Sequence, residues 1–216
     1  NKFKAGLSDS ELSKKYQLDK TTLRRIKEEN NFTKNYNRVN KNIKNDYFTN
    51  IDTPEKAYWL GLLYTDGAVD HYRHTGRIRL QLQEKDKEIL EKFKTCLGLE
   101  TKIIYDKREN STCCSVEFVS EQIFNDLVNF GIVPKKTYLS HHIPFEKIPQ
   151  QFIPAFLLGL FDGDGNLSVS NDYSTDVTFG FTSYYESVVT DFQLAIDNLI
   201  HKEDHNKNFF TSAWHT

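Results

Sequence analysis

Asp66 and Asp164 each follow a short apolar stretch and each precede a glycine. The first stretch reads Trp59-Leu60-Gly61-Leu62-Leu63-Tyr64-Thr65-Asp66-Gly67. The second reads Leu157-Leu158-Gly159-Leu160-Phe161-Asp162-Gly163-Asp164-Gly165. Five of the nine positions are identical at an offset of 98 residues, which is an internal repeat of domain size. A glycine inside an apolar helix costs about 1 kcal/mol relative to alanine, and it is useful where two helix backbones approach closely. Gly61 and Gly159 therefore predict that the two helices pack on each other. Each helix ends in an aspartate, and Gly67 and Gly165 are expected to cap in the left-handed conformation. A helix C-terminus carries partial negative charge, so two carboxylates brought together there repel. Divalent cations relieve that repulsion. Carboxylates sharing oxygen-coordinated Mg2+ with a phosphate suit phosphodiester cleavage.

The elements around this pair repeat as well. Thr53 caps and Pro54 opens the first motif helix. Arg77-Ile78-Arg79-Leu80-Gln81-Leu82-Gln83 alternates polar and apolar residues, so it predicts a strand with Arg77, Arg79, Gln81 and Gln83 on one face. Asp86–Leu97 is an amphipathic helix. A second hairpin is expected over 101–107 and 113–119, then a helix over Glu121–Asn129. The order is helix, two strands, helix, two strands, helix. It restarts at Pro154, with strands expected near 167–171 and 177–183 and a helix from Ser187 to Leu199. The sequence stops at Thr216, before a second hairpin and helix, so the second unit is read as incomplete.

Ahead of these units, residues 5–31 predict two short helices. Asp19-Lys20-Thr21-Thr22 caps the second of them. A short join at Tyr16–Asp19 gives a helix-turn-helix pattern. Its second helix would present Lys20, Thr21, Thr22, Arg24 and Arg25 to a groove or to phosphates; a plain helical hairpin with a solvated basic face fits the segment equally well. Residues 33–50 are polar and read as a linker, with Tyr36, Tyr47 and Phe48 able to dock. The resulting organisation is 1–32, 33–50, 51–150 and 151–216, of class α+β.

Bulk properties set limits. With 38% hydrophobic and 13% aromatic residues, the chain has enough apolar material for a core. No run of about 18 apolar residues is present, so no membrane span is expected. No basic-then-apolar leader opens the chain. Action in the cytoplasm of a bacterial or phage-infected cell is expected. The chain begins at Asn1 and has no Met, as a piece of a longer reading frame would. Cys96, Cys113 and Cys114 form no C-x-x-C pair, and they are read as free thiols. The net charge is −2, but residues 1–50 hold 12 Lys/Arg against 6 Asp/Glu, while the remaining 166 hold 16 against 24. A basic end on an acidic body fits one segment that touches phosphate, and any nucleic-acid face on the body would have to be locally basic. His141-His142 lacks partners at metal-ligand spacing and reads as a solvated loop.

Both nine-residue segments resemble the LAGLIDADG motif of homing endonucleases. Ile51–Gly61 resembles the lead-in of phage and intron-encoded members with an N-terminal helix-turn-helix. Gly131-Ile132-Val133-Pro134-Lys135-Lys136-Thr137, with Ile143-Pro144, resembles the family's stretch between motifs. The resemblance implies two pseudo-symmetric αββαββα units with antiparallel saddle sheets and a monomer with internal two-fold symmetry. It implies that Asp66 and Asp164 bind two or three Mg2+ ions and activate water, with the carbonyls of Thr65 and Gly163 as further ligands. It implies that Lys136 stabilises the developing phosphorane charge or polarises water. It also implies that Arg77, Arg79, Gln81 and Gln83 lie in the major groove of a long double-stranded DNA target. Motif one carries Tyr64 where motif two carries Asp162, a position that is not the metal ligand in relatives. Two other functions stay open at this point: a non-cleaving DNA-binding regulator and an intron RNA maturase.

Overall fold

The computed structural model describes residues 9–29, 42–72, 75–107, 111–134, 142–169, 177–200 and 210–213. The chain folds as two units, residues 1–41 and 42–216. In the smaller unit, α1 (Asp9–Tyr16) and α2 (Lys20–Glu29) are joined by a tight turn in which Gln17 adopts φ 51°. Ser13 closes the turn, its hydroxyl donating to the Leu18 carbonyl at 2.6 Å. Asp19 caps α2 by accepting from the backbone N–H groups of Thr21 and Thr22, both at 2.9 Å. The Thr22 hydroxyl donates to the same carboxylate at 2.6 Å. Leu23 is buried. The expected pair of helices and the Asp19 cap are both present.

In the larger unit, Thr53 accepts from the Lys56 N–H and Pro54 begins α3 (Pro54–Asp66). Next come β1 (Gly67–Tyr72), β2 (Thr75–Gln83), α4 (Lys87–Leu97), β3 (Ile104–Lys107), β4 (Thr112–Val119) and α5 (Glu121–Asn129). The four strands form an antiparallel sheet ordered β1-β2-β4-β3. The alternation of β2 sends Ile78 and Leu80 into the core beside Val116 and Phe118 of β4. Phe93 of α4 and Ile123, Phe124 and Leu127 of α5 are buried in the same core. Ser120 caps α5 by accepting from the Ile123 N–H. Residues 42–50, the latter part of the segment read as a linker, belong to this unit. Tyr47 and Phe48 are buried, the Lys44 N–H donates to the Leu97 carbonyl at 3.0 Å, and the Thr49 hydroxyl donates to Asp126 at 2.9 Å.

The repeat then supplies α6 (Ile153–Asp164), β5 (Gly165–Val169), β6 (Val177–Ser183), α7 (Glu186–Leu199) and β7 (Phe210–Ala213). β5 and β6 are antiparallel, with Gly165 opposite Phe181. β7 lies on the other side of β6 and runs parallel to it, a pairing that a crossover such as α7 permits. Phe181 stacks on Phe192 of α7 at 4.0 Å. Among the described residues, no helix is long and apolar enough to cross a membrane.

Candidate metal centre and nucleic-acid face

The site begins with two glycines. A Cβ at Gly61 would overlap the Phe156 carbonyl and stand 2.9 Å from the Leu160 nitrogen. A Cβ at Gly159 would overlap the Tyr58 carbonyl and stand 2.9 Å from the Leu62 nitrogen. Each motif glycine therefore admits the backbone of the other helix, as expected. The two helices run in the same direction, because their close approach continues towards both C-termini. There a Cβ at Gly163 would lie 2.6 Å from the Thr65 Cβ and 2.7 Å from Asp66 Oδ2. The Asp66 carboxylate thus sits against Gly163, the residue before Asp164. Thr65, Asp66, Gly163 and Asp164 come together at one end of the helix pair, with Asp66 half-buried and Asp164 exposed.

The caps are not left-handed. Gly67 has φ −81° and Gly165 φ −88°, both extended. Their glycine identity answers to space instead. A Cβ at Gly67 would stand 2.8 Å from the Leu63 Cα, and one at Gly165 would overlap the Phe161 side chain and carbonyl. The strand therefore leaves the helix end without a turn, and Asp66 and Asp164 each sit at a helix–strand junction.

Residues flanking the pair show how the two-fold symmetry is broken. Tyr58 and Phe156 correspond at the 98-residue offset, as do Tyr64 and Asp162. The Tyr58 hydroxyl donates to Asp162 Oδ2 at 2.8 Å, while Tyr64 meets Phe156 edge-on at 6.4 Å. Burial first, and then the Asp162 hydrogen bond, push the Tyr58 phenol well above its ordinary value. The buried Tyr64 donates to the His142 carbonyl at 3.3 Å. Asp191 of α7 accepts from the Ile143 N–H at 2.8 Å and faces His142 Nδ1 at 3.0 Å. The His142 side chain is otherwise open to solvent. Lys135, Lys136 and His141 lie outside the described residues.

The donors gathered at the helix ends are all oxygens: two carboxylates and the adjacent main-chain carbonyls. That set fits a hard cation such as Mg2+, and the glycine at position 163 leaves no side chain between Asp66 and Asp164. Among the described residues, no cluster of three or more His, Cys, Asp or Glu side chains forms a metal site. Any ion held here would depend on the two aspartates, main-chain oxygens and groups supplied from outside the chain.

The polar strand face is present but is not basic. Arg77 and Arg79 lie beside Asp70 of β1 and Glu117 of β4, which are their neighbours by register. Asp106 of β3 shares that face through Cys113. Two cations thus stand against three carboxylates among the described residues, so the local excess of positive charge expected for a nucleic-acid face is missing. Gln81 and Gln83 complete the row. In α2, Thr21 and Arg25 are exposed, while the Thr22 hydroxyl is committed to Asp19. Lys20 and Arg24 are placed on α2 by their backbone alone.

Residues 53–124 match the LAGLIDADG-like domain family. The chain is similar in structure to the homing endonuclease I-WcaI bound to its DNA recognition sequence, at 11% identity and TM-score 0.48, over 74% of each chain. It is similar to the I-LtrWI LAGLIDADG homing endonuclease bound to target DNA, at 14% identity and TM-score 0.33, over 63% of this chain and 65% of that one. It is similar to meganuclease I-SmaMI, at 15% identity and TM-score 0.31, over 59% of this chain and 64% of that one. The chain thus spans slightly under two thirds of the length of the last two. No curated protein sequence matches it significantly.

Proposed function

We propose that this chain is a site-specific endonuclease that cuts both strands of a long double-stranded DNA target with Mg2+. The observation that carries this reading is the convergence of Asp66 with Gly163 and Asp164 at the shared end of two glycine-packed helices. Bound Mg2+ would supply a polarised phosphate and a water of lowered pKa. The chain's part is to hold two carboxylates in fixed positions at helix ends, where their charge is least tolerated without a cation. The carbonyls of Thr65 and Gly163 would add oxygen ligands, and Lys136 would offset charge developing on the phosphorane. Arg77, Arg79, Gln81 and Gln83 would face the major groove. Lys20, Thr21, Thr22, Arg24 and Arg25 would contact DNA beyond it. One copy would act alone on a partner met in the cytoplasm.

The reading is tested by incubating the chain with a pool of randomised linear duplexes and sequencing the new ends. It expects ends at one shared sequence in Mg2+ and none in EDTA. Selective binding with no cut in either Mg2+ or Mn2+ would instead identify a non-cleaving DNA-binding protein.

A further inference from the structure

Four residues of β2 present polar side chains on one face, yet the structure leaves them unequal. Arg77 Nε donates to Asp70 Oδ1 at 2.9 Å and Nη2 to Oδ2 at 2.6 Å. The two residues are direct cross-strand partners, so the sheet register sets this pairing. The guanidinium also lies over the Tyr72 ring, 5.4 Å from its centroid, which fixes its plane. Guanidinium has five N–H groups in a rigid fork. The two bonds to Asp70 use the Nε–Nη2 edge. The outer edge keeps one N–H on Nη2 and one on Nη1, with Glu117 4.0 Å from Nη1. A pair of parallel donors of that kind matches O6 and N7 of guanine in the major groove.

Arg79 and Gln81 are arranged differently. Arg79 Nη2 donates to the Gln81 side-chain carbonyl. Its Nε is buried without a hydrogen-bond partner and stands 3.7 Å from Glu117. Arg79 is therefore held along the sheet through Nη2 and Nε, by Gln81 and Glu117 and not by a bidentate carboxylate. Gln81 accepts that bond with one of its two carbonyl lone pairs, which ties its amide to Arg79.

We propose that Asp70 is a specificity-determining residue, which holds Arg77 by one edge so that the other edge reads a single guanine. This rests on the reading of the face as a DNA-contacting one. An arginine already paired to a carboxylate adds little to phosphate attraction. Its contribution therefore belongs to base choice more than to the salt dependence of binding.

The test is selection of bound duplexes from a randomised pool by the full chain, its Asp70→Asn and Arg77→Lys variants, and Glu88→Gln, exposed on α4, as a control. The wild type is expected to prefer guanine about tenfold at one position. Asp70→Asn and Arg77→Lys should both bring that preference below about twofold and leave other positions unchanged. Asp70→Asn, which removes a negative charge, should also bind DNA more tightly overall. Thermal melting of each variant shows that the fold is kept, as expected for half-buried side chains at the sheet surface and an exposed one on α4. Unchanged guanine preference in Asp70→Asn would overturn the role of Asp70, even if Arg77→Lys loses it. A wild-type chain that selects no sequence would overturn both this inference and the reading of the face beneath it.

Discussion

Val69 and Ile78 in the first sheet correspond in register to Leu167 and Phe179 in the second, because Gly67 pairs with Leu80 as Gly165 pairs with Phe181. The first two are 5% and 0% exposed; the second two are 57% and 47% exposed. The strands and their side-chain alternation are alike, so the difference arises from what lies over them. In the first sheet, α5 lays Phe124 against His71, with ring centres 4.6 Å apart, and against Gly76, where a Cβ would overlap the Phe124 ring. Among the described residues, no helix takes the corresponding place on the second sheet. An apolar hollow of about 340 Å³ lies there instead, lined by Leu158, Phe161, Phe179, Ile196 and Leu199 among others. The motif helices are nearly symmetric while the sheets they serve are not. The repeat specifies the helix pair, and each sheet's burial depends on its own covering elements.

The largest test of this contrast truncates the helix residue that covers the first sheet and an apolar strand residue of the second. Phe124→Ala should cost about 4 kcal/mol, whereas Phe179→Ser should cost under about 1 kcal/mol. Urea unfolding followed by fluorescence reads both, and equal losses would break the comparison. The helix pair predicts the reverse pattern. Gly61→Ala and Gly159→Ala each push a Cβ into the opposite backbone and should each cost about 3 kcal/mol. A large loss at one glycine and none at the other would show that the two helices do not share one interface.

Smaller effects probe where the symmetry breaks. Tyr58→Phe removes the donor to Asp162 and should cost about 1 kcal/mol, while Tyr64→Phe, with its longer bond, should cost less. Melting temperatures order the two variants. The pH dependence follows the same bond. The Tyr58 phenol is raised above its ordinary 10.0 in the folded chain, so its contribution is complete below that pH and declines as pH rises above it. Tyr58→Phe should therefore lose less stability than wild type between pH 9 and about pH 11, as read by chemical denaturation. Parallel curves would remove Tyr58 from the account.

Much of this arrangement was legible in the residues. The period-2 run at 77–83 predicts β2, and the helix expected over Glu121–Asn129 is α5 over the residues it occupies. The glycines at 61 and 159 predict the helix contact, because only close backbone approach rewards a glycine there. Other features were not readable. The Tyr58–Asp162 bond joins residues 104 apart and exists only after the helices dock. Asp70 and Glu117 cancel the β2 arginines only once register sets them side by side. The extended φ of Gly67 and Gly165 shows the limit of a motif-level inference, since the same glycine serves a left-handed cap or a tight packing contact. Asp191 reaches His142 and Ile143 from a helix about 48 residues away, and no local pattern announces it.

The most direct test of the central claim is strand-resolved cleavage of a selected duplex in Mg2+ by the wild type, Asp66→Asn and Asp164→Asn. If the two carboxylates form one metal-bound centre, the wild type cuts both strands, and each variant loses at least about a thousandfold in double-strand cutting, with DNA binding retained. Full double-strand cutting by either variant would contradict it.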